Sequence, residues 1–284
     1  MPVLLRLPYR QPIDVEGLIA FLGQRAVAGV EEVLDGAYRR SLRLPRGPGV
    51  VELGPGRGCV HASLWLHDTR DLAVAAARCR TLLDLDADPQ AVIEALGTDP
   101  VIGRLVRAAP GRRVPGHVDG DELALRAVLG QQVSVTAATT LAARLVAAHG
   151  EPLERPIGTV THLFPTATAL ASIDHRTLAM PAARQRAVVG LAAALACGDV
   201  RLDGGADREG AKRALLALPG IGPWTASYVA MRALGDADAF LPTDLGVRRG
   251  LEALGHDGRP AAAAALAEGW RPYRAYAVQH LWAH

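Results

Sequence analysis

The sequence predicts an α+β N-terminal domain built on an antiparallel sheet, followed by an all-α core of two subdomains. Three observations predict this. Residues 1 to about 90 contain short alternating apolar runs separated by Gly/Pro turns. From about residue 88, apolar residues recur at helical spacing. Strand signals are nearly absent beyond that point, so the second half reads as helix packed on helix.

The elements follow in order. Val3-Leu4-Leu5-Arg6-Leu7 alternates like a strand, and Val15 to Val30 places Leu18, Phe21, Leu22 and Ala26 on one helical face. Ser41–Leu44, Gly49–Leu53 and Cys59–Leu66 read as strands between the turns Pro45-Arg46-Gly47-Pro48 and Gly54-Pro55-Gly56. Asp71 to Leu85 is a second helical pattern. Beyond it, helices are expected over 89–96, 99–108, 119–129, 133–149, 165–173, 176–197, 207–217, 224–234, 244–253, 259–268 and 272–283. The domain boundaries expected are 1–90 for the sheet domain, 118–236 for one helical subdomain, and 91–117 with 237–284 for the other.

Composition narrows the function classes. No apolar run approaches the roughly 20 residues that span a bilayer, and Met1 to Arg10 has no signal-peptide core. The expectation is a cytoplasmic protein without membrane contact. Cys59, Cys79 and Cys197 are scattered and odd in number, which argues against a disulfide framework. The formal net charge is +2, weak for nucleic-acid binding by bulk charge. Lys212 is the only lysine.

The informative stretch is Leu216-Ala-Leu-Pro-Gly220-Ile-Gly222-Pro-Trp224-Thr-Ala-Ser-Tyr228. One helix ends at a short hairpin, and Pro223 opens the next. Gly220 and Gly222 permit positive φ and close backbone approach. Leu218 and Ile221 plug the turn. Successive N–H groups at such a hairpin and helix start form a nest that binds a phosphate without side-chain charge. Trp224 and Tyr228 are four residues apart and share a helix face. Next comes Phe240-Leu241-Pro242-Thr243-Asp244. Thr243 is expected to cap a helix and to place Asp244 in its first turn, where the macrodipole favours a carboxylate. A carboxylate beside a sugar stabilises an oxocarbenium-like transition state or orients water at the anomeric carbon.

The hairpin, the helix after it and the Pro-Thr-Asp turn resemble the helix–hairpin–helix DNA glycosylase superfamily. Pro8-Tyr9, Phe21-Leu22 to Glu31, Leu129-Gly-Gln-Gln-Val-Ser134, Phe164-Pro-Thr166 and Arg274 to Trp282 resemble its alkylation-repair branch, the 3-methyladenine DNA glycosylase II type. The resemblance implies a helix–hairpin–helix glycosylase core that takes a flipped base into a cleft. It implies a monofunctional enzyme releasing 3-methyladenine, 7-methylguanine and related bases. Asp244 matches the catalytic aspartate. Trp224, Tyr228, Trp282 and Phe21 match the base pocket. Gly220, Ile221, Gly222, Thr225, Gln131, Gln132, Arg248 and Arg249 are the expected DNA contacts. The carbonyls of Leu216, Leu218 and Ile221 match groups that share Na⁺ or K⁺ with a phosphate. The resemblance implies no required cofactor and no iron–sulfur cluster. The partner implied is double-stranded DNA with a damaged base, bound by a monomer.

This chain departs from the branch at three places: Gln132 stands where an apolar wedge is usual, Leu245 where an aromatic often follows the Asp, and Thr243 where an acidic residue is common. Bifunctional relatives carry a Schiff-base lysine at the position of Trp224, so water is the expected nucleophile. Two other readings stay open: a glycosylase for oxidised or deaminated bases, and a non-catalytic module that binds damaged DNA. Cys59-Val-His61 reads as core packing, and Trp270 and Tyr273 as core aromatics.

Overall fold

The computed structural model describes residues 1–284. Five strands form one antiparallel sheet: β1 (Val3–Pro8), β2 (Glu31–Leu34), β3 (Ala37–Leu44), β4 (Gly47–Gly56) and β5 (Cys59–Leu66), in the order β1-β5-β4-β3-β2. Alternation decides which face is covered. Tyr38, Leu42 and Leu44 of β3 and Val60, Ala62 and Leu64 of β5 are buried. They pack under α1 (Val15–Gly23) and α2 (Leu72–Leu82), which contribute Leu18, Leu22, Ala75 and Cys79 to the same core.

The helical part begins with α3 (Pro89–Leu96) and α4 (Gly103–Ala108), followed by α5 (Gly120–Leu129) and α6 (Val135–His149). The chain then departs from the expected helical run. Glu151–Ile157 and Val160–Leu163 pair as an antiparallel hairpin, β6 and β7. Pro152 and Pro156 hide the strand signal, since proline is tolerated only where the ladder needs no N–H. The remaining helices are α7 (Ala167–Ala171), α8 (Ala182–Cys197), α9 (Arg208–Leu216), α10 (Pro223–Ala233), α11 (Leu245–Ala253), α12 (Pro260–Ala267) and α13 (Arg274–Trp282).

Besides the sheet core, the helices make two large apolar cores. One unites α5, α6, α8, α9 and α10 through residues such as Leu125, Leu145, Leu191, Leu215 and Val229, and recruits Val27 and Val30 from the sheet domain. The other unites α3, α4, α11, α12 and α13 through Leu96, Val106, Leu251, Ala263 and Val278. Trp270, fully buried, is its largest side chain and meets Phe240 edge-on at 5.8 Å.

Polar groups lock the sheet domain to α5. Arg40, 1% exposed, points from β3 into the interior and donates to Glu31 at 3.1 Å and to Glu122 at 2.7 Å. Arg126 donates to Glu122 at 2.8 Å and lies 3.0 Å from Glu31. Tyr38 Oη donates to Glu31 at 2.5 Å. Burial drives the Glu31 carboxyl up, yet Arg126 and Arg40 more than offset this and hold it below the usual carboxylate value. Two carboxylates facing two guanidiniums neutralise one another, which is the condition for burying any of them.

Candidate active site

The three cores meet at a cavity of about 450 Å³, a volume suited to a small ligand. All three cores contribute to its lining. Leu22, Arg25 and Glu31 come from the sheet domain, Trp224 and Tyr228 from α10, and Asp244, Gly246 and Trp282 from the third core.

Asp244 sits one helix and one loop beyond the hairpin. It is itself the N-cap of α11, and Oδ1 accepts from Val247 N–H at 3.0 Å. This corrects the expectation that Thr243 caps the helix. Thr243 is exposed, and the cap falls one residue later, because the turn closes through Asp244 N–H to the Leu241 carbonyl. Both carboxylate oxygens face indoles. Trp224 Nε1 donates to Oδ2 at 2.9 Å, and Trp282 Nε1 donates to Oδ1 at 2.7 Å. Hydrogen bonds to an ionised acceptor are short and strong, and these fix the orientation of the group. Gly246 makes the approach of Trp282 feasible: a Cβ there would stand 2.6 Å from Trp282 Cδ1 and 3.1 Å from Asp244 Oδ1.

The four aromatics singled out in the sequence lie together. Trp224 stacks on Tyr228 with centroids 5.1 Å apart and planes 9° from parallel. Trp282 lies 6.3 Å from Phe21, at 14°, and 6.4 Å from Tyr228. Two arginines that sequence reasoning missed accompany them. Arg25 Cζ is 3.7 Å from the centroid of Phe21, and Arg232 Cζ is 5.1 Å from Phe21 and 5.7 Å from Tyr228. The available signal was spacing, since Arg25 follows Phe21, and Arg232 follows Tyr228, by four residues. Burial pulls the Arg25 guanidinium below the ordinary arginine value.

The α9–α10 turn forms as the glycine pattern suggests, with one difference. Gly220 has φ +85° and sits so close to α8 that a Cβ would meet Ala187 Cβ at 2.8 Å. Gly222 is extended, at φ −97°, and its surroundings are open. Its place is therefore compatible with other residues, and only Gly220 needs the left-handed region. Pro223 starts α10.

The expected DNA contacts divide. Gln132 is exposed at φ +54°, in the turn between α5 and α6. Gln131 is turned inward: Nε2 donates to the Gly220 carbonyl at 3.0 Å and to Thr225 Oγ1 at 2.9 Å. Arg184 Nη2 of α8 donates to the Gln131 carbonyl at 2.6 Å, so the glutamine turn is tied to α8 as well as to the hairpin. Thr225 and Ile221 are 2% and 6% exposed, so their side chains face the protein and only their backbone is available to a phosphate. Ile221 plugs the turn, as its apolar side chain suggests. Arg248 Nε donates to the Gly258 carbonyl at 3.2 Å and braces the α11–α12 turn, whereas Arg249 is exposed.

Glu31, His117 and Glu122 are close enough to hold a metal ion. Arg40 and Arg126 already occupy the carboxylates, and burial drives His117 well below the usual histidine value, which leaves it neutral. The group is explained as an ion-pair network.

Comparison with known proteins identifies relatives of the chain. Residues 4–119 match the family model described as the AlkA N-terminal domain. The chain is 53% identical over 280 residues to the probable bifunctional transcriptional activator/DNA repair enzyme AlkA of Mycobacterium tuberculosis, covering 99% of this chain and 56% of that protein. It therefore spans little more than half of that relative's length. It is 37% identical over 281 residues to DNA-3-methyladenine glycosylase 2 of Escherichia coli, covering 97% of this chain and 95% of that one. The 3-methyladenine DNA glycosylase from Archaeoglobus fulgidus shares the fold, with a TM-score of 0.84 at 22% identity over 98% of this chain and 97% of that one. Sequence and fold agree, and the chain belongs to the DNA-3-methyladenine glycosylase 2 family.

Proposed function

We propose that this protein is a monofunctional DNA glycosylase that hydrolyses the N-glycosidic bond of alkylated bases in duplex DNA. The observation that carries the reading is Asp244, an acceptor for two indole N–H groups and one backbone N–H at the rim of an aromatic cavity. The hairpin at Gly220 and the turn at Gln132 would grip the duplex beside it. A damaged nucleotide leaves the stack and enters the cavity between the faces of Trp224, Tyr228 and Trp282. A base alkylated at a ring nitrogen is cationic, and electron-rich faces attract it.

Chemistry then centres on the sugar. As the C1′–N bond lengthens, the pair stays with the base and positive charge grows at C1′. The Asp244 carboxylate stabilises that charge and orients the attacking water. Trp224 occupies the hairpin position where a Schiff-base nucleophile would stand, and Lys212 lies on α9, so water attack is the route that these side chains support. The products are the free base and an abasic site. The Leu216, Leu218 and Ile221 carbonyls could share a Na⁺ or K⁺ with a phosphate. Leu218 already accepts from Ile221 N–H at 3.1 Å and offers its second lone pair, while the Gly220 carbonyl is committed to Gln131.

The test is Asp244→Asn on methylated duplex DNA. Released bases are measured by chromatography and binding by titration with an uncleavable duplex. Base release is expected to fall by at least about 100-fold while binding survives. Undiminished release in the variant refutes the assignment.

A further inference from the structure

The glycosylase reading gives Arg25 no task, yet the fold takes care to place it. Its backbone carbonyl accepts from Arg126 Nη2 at 2.6 Å, and Arg126 is in turn pinned by Glu31 and Glu122. A buried ion-pair network thus fixes the segment that carries Arg25. Its side chain makes a single hydrogen bond, from Nη1 to the Phe21 carbonyl at 3.2 Å, so most of its N–H groups are free at the cavity wall. Arg232 backs it. That side chain is 3% exposed, donates to Tyr228 Oη at 2.9 Å and to the Gly116 carbonyl at 3.0 Å, and has a buried Nε without a partner. A pocket meant only for cationic bases has no use for two guanidiniums on its aromatic faces, because like charges repel.

We propose that Arg25, backed by Arg232, is the specificity determinant that favours neutral damaged bases in this pocket. The inference rests on the glycosylase reading. Its chemistry follows from where the electron pair goes. In either case C1′–N breaks, its pair stays with the base, and the oxygen of water bonds to C1′. A cationic base departs neutral. A neutral base departs as an anion, until it takes up a proton equivalent to the one water loses. Arg25 donates hydrogen bonds to an acceptor atom on the base, and its fixed charge stabilises the anion as it forms. The guanidinium neither gains nor loses a proton. The same charge disfavours the cationic base, so Arg25 shifts the balance between the two classes.

The test uses the full chain and two duplexes identical except for one nucleotide, hypoxanthine as the neutral probe and 7-methylguanine as the cationic one. Single-turnover rates are measured for wild type and for Arg25→Ala. The ratio of hypoxanthine to 7-methylguanine release is expected to fall about 100-fold in the variant, as when a donor aimed at developing charge is removed. An unchanged ratio overturns the inference, as does a wild-type protein that releases 7-methylguanine and leaves hypoxanthine untouched. A wild-type protein that releases neither base overturns the glycosylase reading itself. If Arg25→Ala fails to fold, Arg25→Gln keeps the volume, removes the charge and is held to the same ratio.

Discussion

Trp282 Nε1 lies 2.7 Å from Asp244 Oδ1, so the last turn of α13 is tied directly to the first turn of α11. The indole has two roles there: its N–H orients the carboxylate, and its ring forms the wall opposite Phe21. Trp282→Phe separates them, because phenylalanine keeps a ring and loses the donor. Removing a hydrogen bond to a charged group costs about 1.5–3 kcal/mol. The single-turnover rate is expected to drop roughly 10- to 100-fold. Affinity for an uncleavable duplex should stay near the wild-type value, and titration against such a duplex checks this.

Gly246 offers a sharper probe of the same contact. A methyl group at this position collides with Trp282 Cδ1 and crowds Asp244 Oδ1. Overpacking of this kind costs about 1–3 kcal/mol. Gly246→Ala is therefore expected to lower base release at least about fivefold. Melting temperature and rate, measured together, tell whether the strain is relieved by moving the indole or is stored in the helix. A fully active, fully stable variant would mean that the indole is not needed where it stands.

Gly220→Ala tests the hairpin. Its φ of +85° and the nearness of Ala187 both oppose a side chain. The backbone term alone is about 1–2 kcal/mol. Duplex affinity is expected to fall about tenfold or more, since the N–H groups at the turn lose their alignment. Gly222→Ala, at an extended and open position, should bind DNA like the wild type. Fluorescence anisotropy with a labelled duplex distinguishes the two.

Acid stability follows from buried histidines. Burial holds His280 at about 4, against an ordinary 6.5, and drives His117 well below 6.5. Between the folded and unfolded values the unfolded chain binds more protons, so stability rises with pH in that window. The contribution is fully present above about pH 6.5 and is lost as pH falls towards the folded values. Asp84 acts oppositely. Its carboxyl, buried under Tyr276 Oη at 2.8 Å, is raised to about 6 from 3.8, so its stabilisation fades as pH rises through 6. Melting temperature is expected to decline from pH 6.5 to 5, less steeply than two histidines alone would give. Asp84→Asn should steepen the decline, and calorimetry across that range reads it.

Much of this architecture is legible in the sequence for local reasons. Alternation in β3 and β5 reports a half-buried sheet, and Leu-Pro-Gly-Ile-Gly-Pro reports a turn between helices, because each signal is complete within a few residues. What escaped depends on distant partners. Arg40 of β3 is buried because Glu122, 82 residues later in sequence, folds beneath it. The β6–β7 hairpin is masked by its two prolines and earns its place by packing: Leu153, Val160 and Leu163 cluster with Val50 of the sheet. Thr225 and Gln131 read as DNA ligands, yet they hydrogen-bond to each other across 94 residues. A motif fixes which residues matter more readily than it fixes which way they face.

Residues of three different apolar cores line the cavity. Its shape is therefore a property of a joint. The fastenings between the bodies reach beyond it: Asp84 with Tyr276 lies outside the cavity, and Arg232, itself a lining residue, donates to the Gly116 carbonyl. Substrate range can drift in this family through a change of angle at such fastenings, with every wall residue conserved. A search for the origins of altered specificity should begin there as well as in the pocket.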